Sequence, residues 1–203
     1  MRKLILSAFL TLDGVVQAPG GPGEDDDGGF PYGGWAVPFC DDHVGEVMGS
    51  FMGRPFDLVL GRRTYDIFAA FWPTASEEDG AKPLNDASKH VVSRGRPSLT
   101  WERSSLLEGD VAEGVAALKR QDGPDLQVHG SGNLAQTLHR HGLVDEWQLL
   151  VFPVVLGRGK RLFADGALPA ALQLVDSSVS GTGVVVARYV PAGDVITGTF
   201  GAA

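Results

Sequence analysis

The sequence predicts an α/β fold. It should have three α-β-α layers around a mixed, mainly parallel sheet that ends in a C-terminal antiparallel hairpin. Three observations predict it. Short apolar strand patterns alternate with amphipathic helical patterns through most of the chain, the order that builds parallel sheets. The first strand pattern, residues 3–9 (KLILSAF), is apolar on both alternating faces, as in a central strand covered on both sides. The last two patterns, residues 172–179 and 184–189, are joined by the tight Ser180-Gly181-Thr182-Gly183 turn of a hairpin.

The elements follow in order. Arg2 and Lys3 ahead of LILSAFLTL imitate a secretory signal, but Asp13 and Gly14 interrupt the run too early for a membrane span, so a buried first strand is predicted. A long connection follows. Its acidic stretch at residues 20–29, GGPGEDDDGG, lacks the alternating spacing and distal glutamate of a calcium loop and reads as a solvated, mobile segment. Phe30, Tyr32 and Trp35 come next, either to cover a pocket or to pin the loop. Asp41 or Asp42 can cap a helix whose Val44, Val47, Met48 and Phe51 share one face. Residues 56–60 form a strand, and Gly61 turns into a helix with Tyr65, Phe68, Ala69 and Trp72 aligned, stopped by Pro73. Another strand spans residues 90–93. Asp110 and Glu113 have capping-box spacing ahead of Val111, Val115 and Leu118. Residues 126–128 make a short strand, then a helix carries Leu134 and Leu138 and stops at Gly142. Residues 146–156 read as a long strand with a bulge or edge at Pro153. With no repeat and no linker, residues 1–190 form a single domain and 191–203 a tail.

Composition narrows the function. The chain has 203 residues and a formal net charge of -8, which argues against nucleic acid as the main partner. Cys40 is the only cysteine, so there is no internal disulfide and no cysteine-built zinc site, in keeping with a cytoplasmic protein. No metal site and no membrane partner are expected; His139 and His141 are poorly spaced for sharing a helix face.

Three strand ends carry the candidate chemistry. Gly61, Arg62, Arg63 and Thr64 follow one strand, Ser93 and Arg94 another, and Gly130, Ser131, Gly132, Asn133 and Leu134 a third. Ligands of open α/β sheets collect beyond the carboxyl ends of parallel strands. Two arginine sources and a glycine-rich helix start on one rim suit a ligand with several phosphates, such as a dinucleotide with a 2′-phosphate. The Gly-Ser-Gly turn taken alone fits equally well as a tight turn that needs glycine for its backbone. GSGNLA also satisfies a Rossmann fingerprint, a rival reading as an NAD enzyme. It falls late in the chain, however, and no acidic residue follows where a ribose would need one.

GRRTYD at residues 61–66, VVSR at 91–94 and HGSGNL at 129–134 resemble the cofactor-binding motifs of the dihydrofolate reductase-like fold. PVVLGRGKRLF at 153–163, with GLVDE at 142–146, is similar to the reductase half of the bifunctional riboflavin-biosynthesis deaminase/reductase (the RibD C-terminal type) and its stand-alone relatives. The resemblance implies NADPH as cofactor. Arg62, Arg63 and Thr64 would lie along the phosphates, Ser93 and Arg94 at the 2′-phosphate, and Gly130 to Leu134 under the pyrophosphate. Asp13 and Gly14 would pass the nicotinamide. It further implies a homodimer and a small heterocyclic substrate, a pterin, a folate or a riboflavin-pathway pyrimidine, reduced at C=N or C=O. The zinc-deaminase signature is absent from the sequence. The expected pocket acid has no clear counterpart, which leaves a non-catalytic NADP(H)-binding module as the alternative. Candidate catalytic carboxylates are Asp66 and Asp42, with Glu46 beside the latter; Trp35, Tyr65 and Trp72 are the candidate substrate-pocket residues.

Overall fold

The computed structural model describes residues 1–201. The chain runs β1 (Leu4–Thr11), a 3-10 turn (Val37–Phe39), α1 (Asp42–Phe51), β2 (Phe56–Gly61), α2 (Arg62–Phe71), α3 (Ala81–Asp86), β3 (Lys89–Val92) and β4 (Ser104–Leu106). It continues through α4 (Val111–Arg120), β5 (Asp125–His129), α5 (Gly132–Arg140), β6 (Glu146–Phe152), β7 (Leu172–Val179) and β8 (Val185–Pro191). The eight strands join one sheet in the order β4-β3-β2-β5-β1-β6-β8-β7. Every pairing from β4 across to β6 is parallel, and β6–β8 and β8–β7 are antiparallel. This is the mixed, mainly parallel, dihydrofolate reductase-like sheet with its C-terminal hairpin.

Strand alternation sorts the core into two faces. Leu4, Leu6, Ala8 and Leu10 of β1 pack with Leu126 and Val128 of β5 against Val115, Leu118, Leu134 and Leu138 of α4 and α5. On the opposite face Leu150 and Phe152 of β6 meet Val44 of α1, and Leu58 and Leu60 of β2 meet Tyr65 of α2. The handedness rule for parallel crossovers explains the split. Connections through α1 and α2 move toward the β4 edge and cover one face, while those through α4 and α5 move toward β6 and cover the other. Helices therefore leave the carboxyl ends of neighbouring β2 and β5 toward opposite faces, opening a crevice between them.

Of the two candidate caps of α1, Asp41 is the one used, its carboxylate accepting from Val44 N at 3.0 Å. Other expectations need correction. α3 and β4 were not predicted: one is a short helix containing Pro83, the other three residues of polar sequence. β6 stops at Phe152, because Pro153 has no N–H to continue the ladder. Pairing with residue 171 extends past β8, with Ala192 N on Ala171 O (2.8 Å) and Ala171 N on Gly193 O (2.9 Å). The acidic segment is not freely solvated. Asp25 is buried, held by Lys160 Nζ at 2.6 Å and Arg63 at 3.3 Å, and Gln17 Nε2 donates to the carbonyls of Asp25 and Asp27. No helix among the described residues is long and apolar enough to cross a membrane.

Candidate functional site

The crevice opens into a cavity of about 1190 Å³ along the carboxyl rim of the sheet. It is larger than the roughly 300–1,000 Å³ of an ordinary small-ligand pocket, so it has room for a nucleotide and a second, smaller molecule. Gly61, Arg62, Arg63 and Thr64 reach it from the β2 end, Ser93 and Arg94 from the β3 end, and Gly130 to Leu134 from the β5 end. The three turns that are far apart in sequence thus share one wall. Trp72 and Asp66 also line it.

The joint between turns is built from backbone constraints. Gly130 and Ser131 both adopt left-handed conformations, φ 58° and 57°, which for serine is uncommon and strained. That bend turns Ser131 Oγ onto the β2 turn, where it accepts from Gly61 N at 3.1 Å and shares a proton with Thr64 Oγ1 at 2.6 Å. A Cβ on residue 61 would come within 2.9 Å of Ser131 Oγ, so glycine is required there by close approach. α5 begins immediately after, and its first intrahelical bond runs from Ala135 N to Ser131 O. The amides of Gly132, Asn133 and Leu134 precede that bond and leave a positive helix end at the cavity wall.

The arginines differ in freedom. Arg62 Nε engages both oxygens of Asp66 at 2.7 Å, and Arg63 leans on Asp25. Among the described residues Arg94 makes no ion pair, so its exposed guanidinium is available to an anion. Arg96 pairs with Glu108 at 3.1 Å beside it.

Other expected residues lie elsewhere. Tyr65 is buried, its hydroxyl accepting from Trp101 N at 2.9 Å, and it belongs to the core under α2 rather than to the cavity. Trp35 is also buried; its Nε1 donates to Gln17 O at 2.7 Å and its ring meets Phe152 edge-on, so it pins the loop. Asp42 and Glu46 are exposed on α1 away from the cavity. Asp13 and Gly14 do not line it either. Asp13 accepts from Thr11 Oγ1 (2.6 Å), Leu156 N (3.2 Å) and Gly157 N (2.8 Å), and so clasps the segment around residues 156–161. Burial pushes its carboxyl up, but these hydrogen bonds outweigh that and lower its pKa to about 2. Asp66 is on the wall, with both oxygens already engaged by Arg62.

The cavity also holds residues that were not among the candidate site residues: Ser7, Phe9, Met48 and Phe68, with His129 and Lys160, which fall inside the sequence motifs but were given no role there. Ser7 carried a signal, being a polar interruption in the apolar run of residues 4–10 in β1, whereas β5 around His129 also carries Asp125 and Gln127. Burial lowers the His129 pKa to about 4, which keeps the ring neutral.

Comparison with known proteins agrees with this architecture. A Shewanella sp. PV-4 structure, provisionally assigned to riboflavin biosynthesis, superposes with a TM-score of 0.71 at 20% identity, covering 94% of this chain and 99% of that one. A pyrimidine reductase-like protein of Corynebacterium diphtheriae gives 0.65 at 14% identity, covering 95% and 93%. Bacillus subtilis YyaP, described as an uncharacterized protein, is 30% identical over 192 residues, 93% of this chain and 94% of its own length. YwjB of the same organism, likewise described, is 23% identical and covers 90% and 95%. The family model of the RibD C-terminal domain matches residues 2–186, and the chain belongs to that family.

Proposed function

We propose that this chain is an NADPH-dependent reductase that adds a hydride to a C=N or C=O bond of a small heterocycle of the pterin, folate or riboflavin-pathway pyrimidine type. One observation carries the reading. Arg62, Arg63, Arg94 and the N-terminal amides of α5 meet in a single cavity that Phe9, Met48, Phe68 and Trp72 also line. The family supports a reductase class.

The residues present fit the cofactor. The bare backbone at Gly61 and Gly130 allows close approach, and the start of α5 offers amides to a pyrophosphate. Arg94 with Ser93 would hold a 2′-phosphate, Arg62, Arg63 and Thr64 the phosphates, and Gly130 to Leu134 the pyrophosphate. When bound, NADPH supplies the hydride to the electrophilic carbon, and a proton from water completes the reduction at nitrogen or oxygen. The chain's own part is alignment and exclusion of bulk water. Phe68 and Trp72 present aromatic surface to a flat substrate, while the loop held by Lys160 contributes to the cavity wall.

A homodimer is part of the same reading, supported by the exposed edge strand β7 with Leu174, Val175 and Val179; light scattering tests it. The engagement of Asp66 by Arg62 favours a second reading, a module that binds NADP(H) without turnover. Loss of NADPH absorbance on addition of reducible heterocycles separates the two. Tighter binding of NADH than NADPH would overturn the cofactor assignment.

A further inference from the structure

Gln17, Glu24, Asp25 and Asp27 of the acidic loop line the cavity together with the first turn of α2. The loop is fastened on one side to residues 158–160. Gln17 Oε1 accepts from Lys160 N at 3.0 Å, and Arg158 donates to Gly28 O at 2.8 Å. Lys160 Nζ holds Asp25 at 2.6 Å and Asp27 at 2.7 Å. Toward β2 and α2 residues 17–30 have a single polar link among the described residues. It is the pair between Arg63 and Asp25 Oδ1, at 3.3 Å.

That link is the dispensable one of the bonds Asp25 makes. The residue is only 8% exposed, and a buried charge without partners is costly. Its Oδ2 has Lys160, however, and its Oδ1 also accepts from Asp27 N at 3.2 Å. Both oxygens therefore keep a donor when Arg63 leaves. The Arg63 side chain is 55% exposed and its contact is the longer of the two ion pairs, so the pair adds little stability. Arg62 differs, because its partner Asp66 lies four residues along the same helix and that pair moves with α2. A phosphate accepts two parallel N–H bonds from a guanidinium, whereas Asp25 offers Arg63 one oxygen.

We propose that Asp25 is a built-in competitor for Arg63, an autoinhibitory contact that a phosphate-bearing ligand displaces. In the latched arrangement Asp25 ties the acidic loop to α2. A diphosphate that takes Arg63 breaks this tie, leaves Asp25 on Lys160, and frees the loop on its α2 side alone. The coupling is reciprocal: removing the carboxylate strengthens the ligand by the factor by which the ligand weakens the latch. The inference rests on the reductase reading in one respect, that the displacing phosphates are those of the cofactor.

The test titrates inorganic pyrophosphate and NADPH calorimetrically. Asp25→Asn should bind pyrophosphate about threefold or more tightly than the unaltered protein, the worth of a partly exposed ion pair. Made in an Arg63→Gln background, the same change should leave pyrophosphate affinity unaltered, because the competitor has nothing left to block. A gain that survives without Arg63 is a general charge effect and overturns the proposal, as does no gain at all. Hydrogen exchange on the unaltered protein supplies a reading that needs no variant. Saturating pyrophosphate should speed exchange of the amides in residues 20–29; slowed or unchanged exchange overturns the latch. A pyrophosphate gain in Asp25→Asn protein that binds no NADPH upholds the latch and removes the reductase reading alone. NADPH binding that is indifferent to both Asp25 and Arg63 does the reverse.

Discussion

Ser131 Oγ lies 3.1 Å from the backbone nitrogen of Gly61 and so locks the turn after β5 to the turn after β2. The two turns leave the sheet toward opposite faces, and this bond sets the width of the crevice between them. Gly61→Ala would push a methyl to within 2.9 Å of that oxygen. Such overpacking costs about 1–3 kcal/mol, read as a lower urea midpoint, and should also weaken NADPH. Adding Ser131→Gly removes the obstructing side chain, so the double variant should be more stable than Gly61→Ala alone.

Arg94 separates the two nicotinamide cofactors. As a cation without an ion pair among the described residues, it should contact the 2′-phosphate and little else. Arg94→Ala is expected to weaken NADPH roughly tenfold or more, the worth of a charge-assisted hydrogen bond, and to leave NADH nearly unchanged in a fluorescence titration. Equal weakening of both would place Arg94 elsewhere on the ligand.

Tyr65 and Trp72 lie on the same helical stretch and should behave oppositely. Tyr65→Phe strands the buried Trp101 N–H, which should cost about 1–3 kcal/mol in denaturant melts, with NADPH affinity unaltered. Trp72→Ala removes cavity wall and should weaken ring ligands. A Tyr65→Phe protein of normal stability but impaired ligand binding would refute the core assignment.

Asp13 gives the fold an acid-sensitive clasp. Its folded pKa of about 2 lies below the ordinary 3.8, so the unfolded chain takes up the proton first as pH falls. The stability it contributes is full above about pH 4 and is lost as pH drops toward 2. Asp13→Asn should therefore melt below the unaltered protein at pH 7, with the gap closing between pH 4 and 2. A calorimetric pH series checks this, and a gap that stays constant across that window would show that the carboxylate is not the source.

The sequence alone determined the order of strands and helices apart from α3 and β4, the central place of β1 and the three turns at the rim. Each depends on local periodicity, capping and turn chemistry over a few residues. GRRT, SR and HGSGNL were legible because backbone freedom and charge are encoded where they act. Tertiary structure alone decided which way side chains on an amphipathic stretch turn. Tyr65 and Trp72 fit the same helical stripe, yet one seals the core against Trp101 and the other faces the cavity. Asp13 could have faced a cofactor, but residues 143 positions or more further along the chain supply amides that capture it. The row of Ser7, His129 and Gln148 arises only when distant strands pair in register, because β1 meets β5 on one side and β6 on the other.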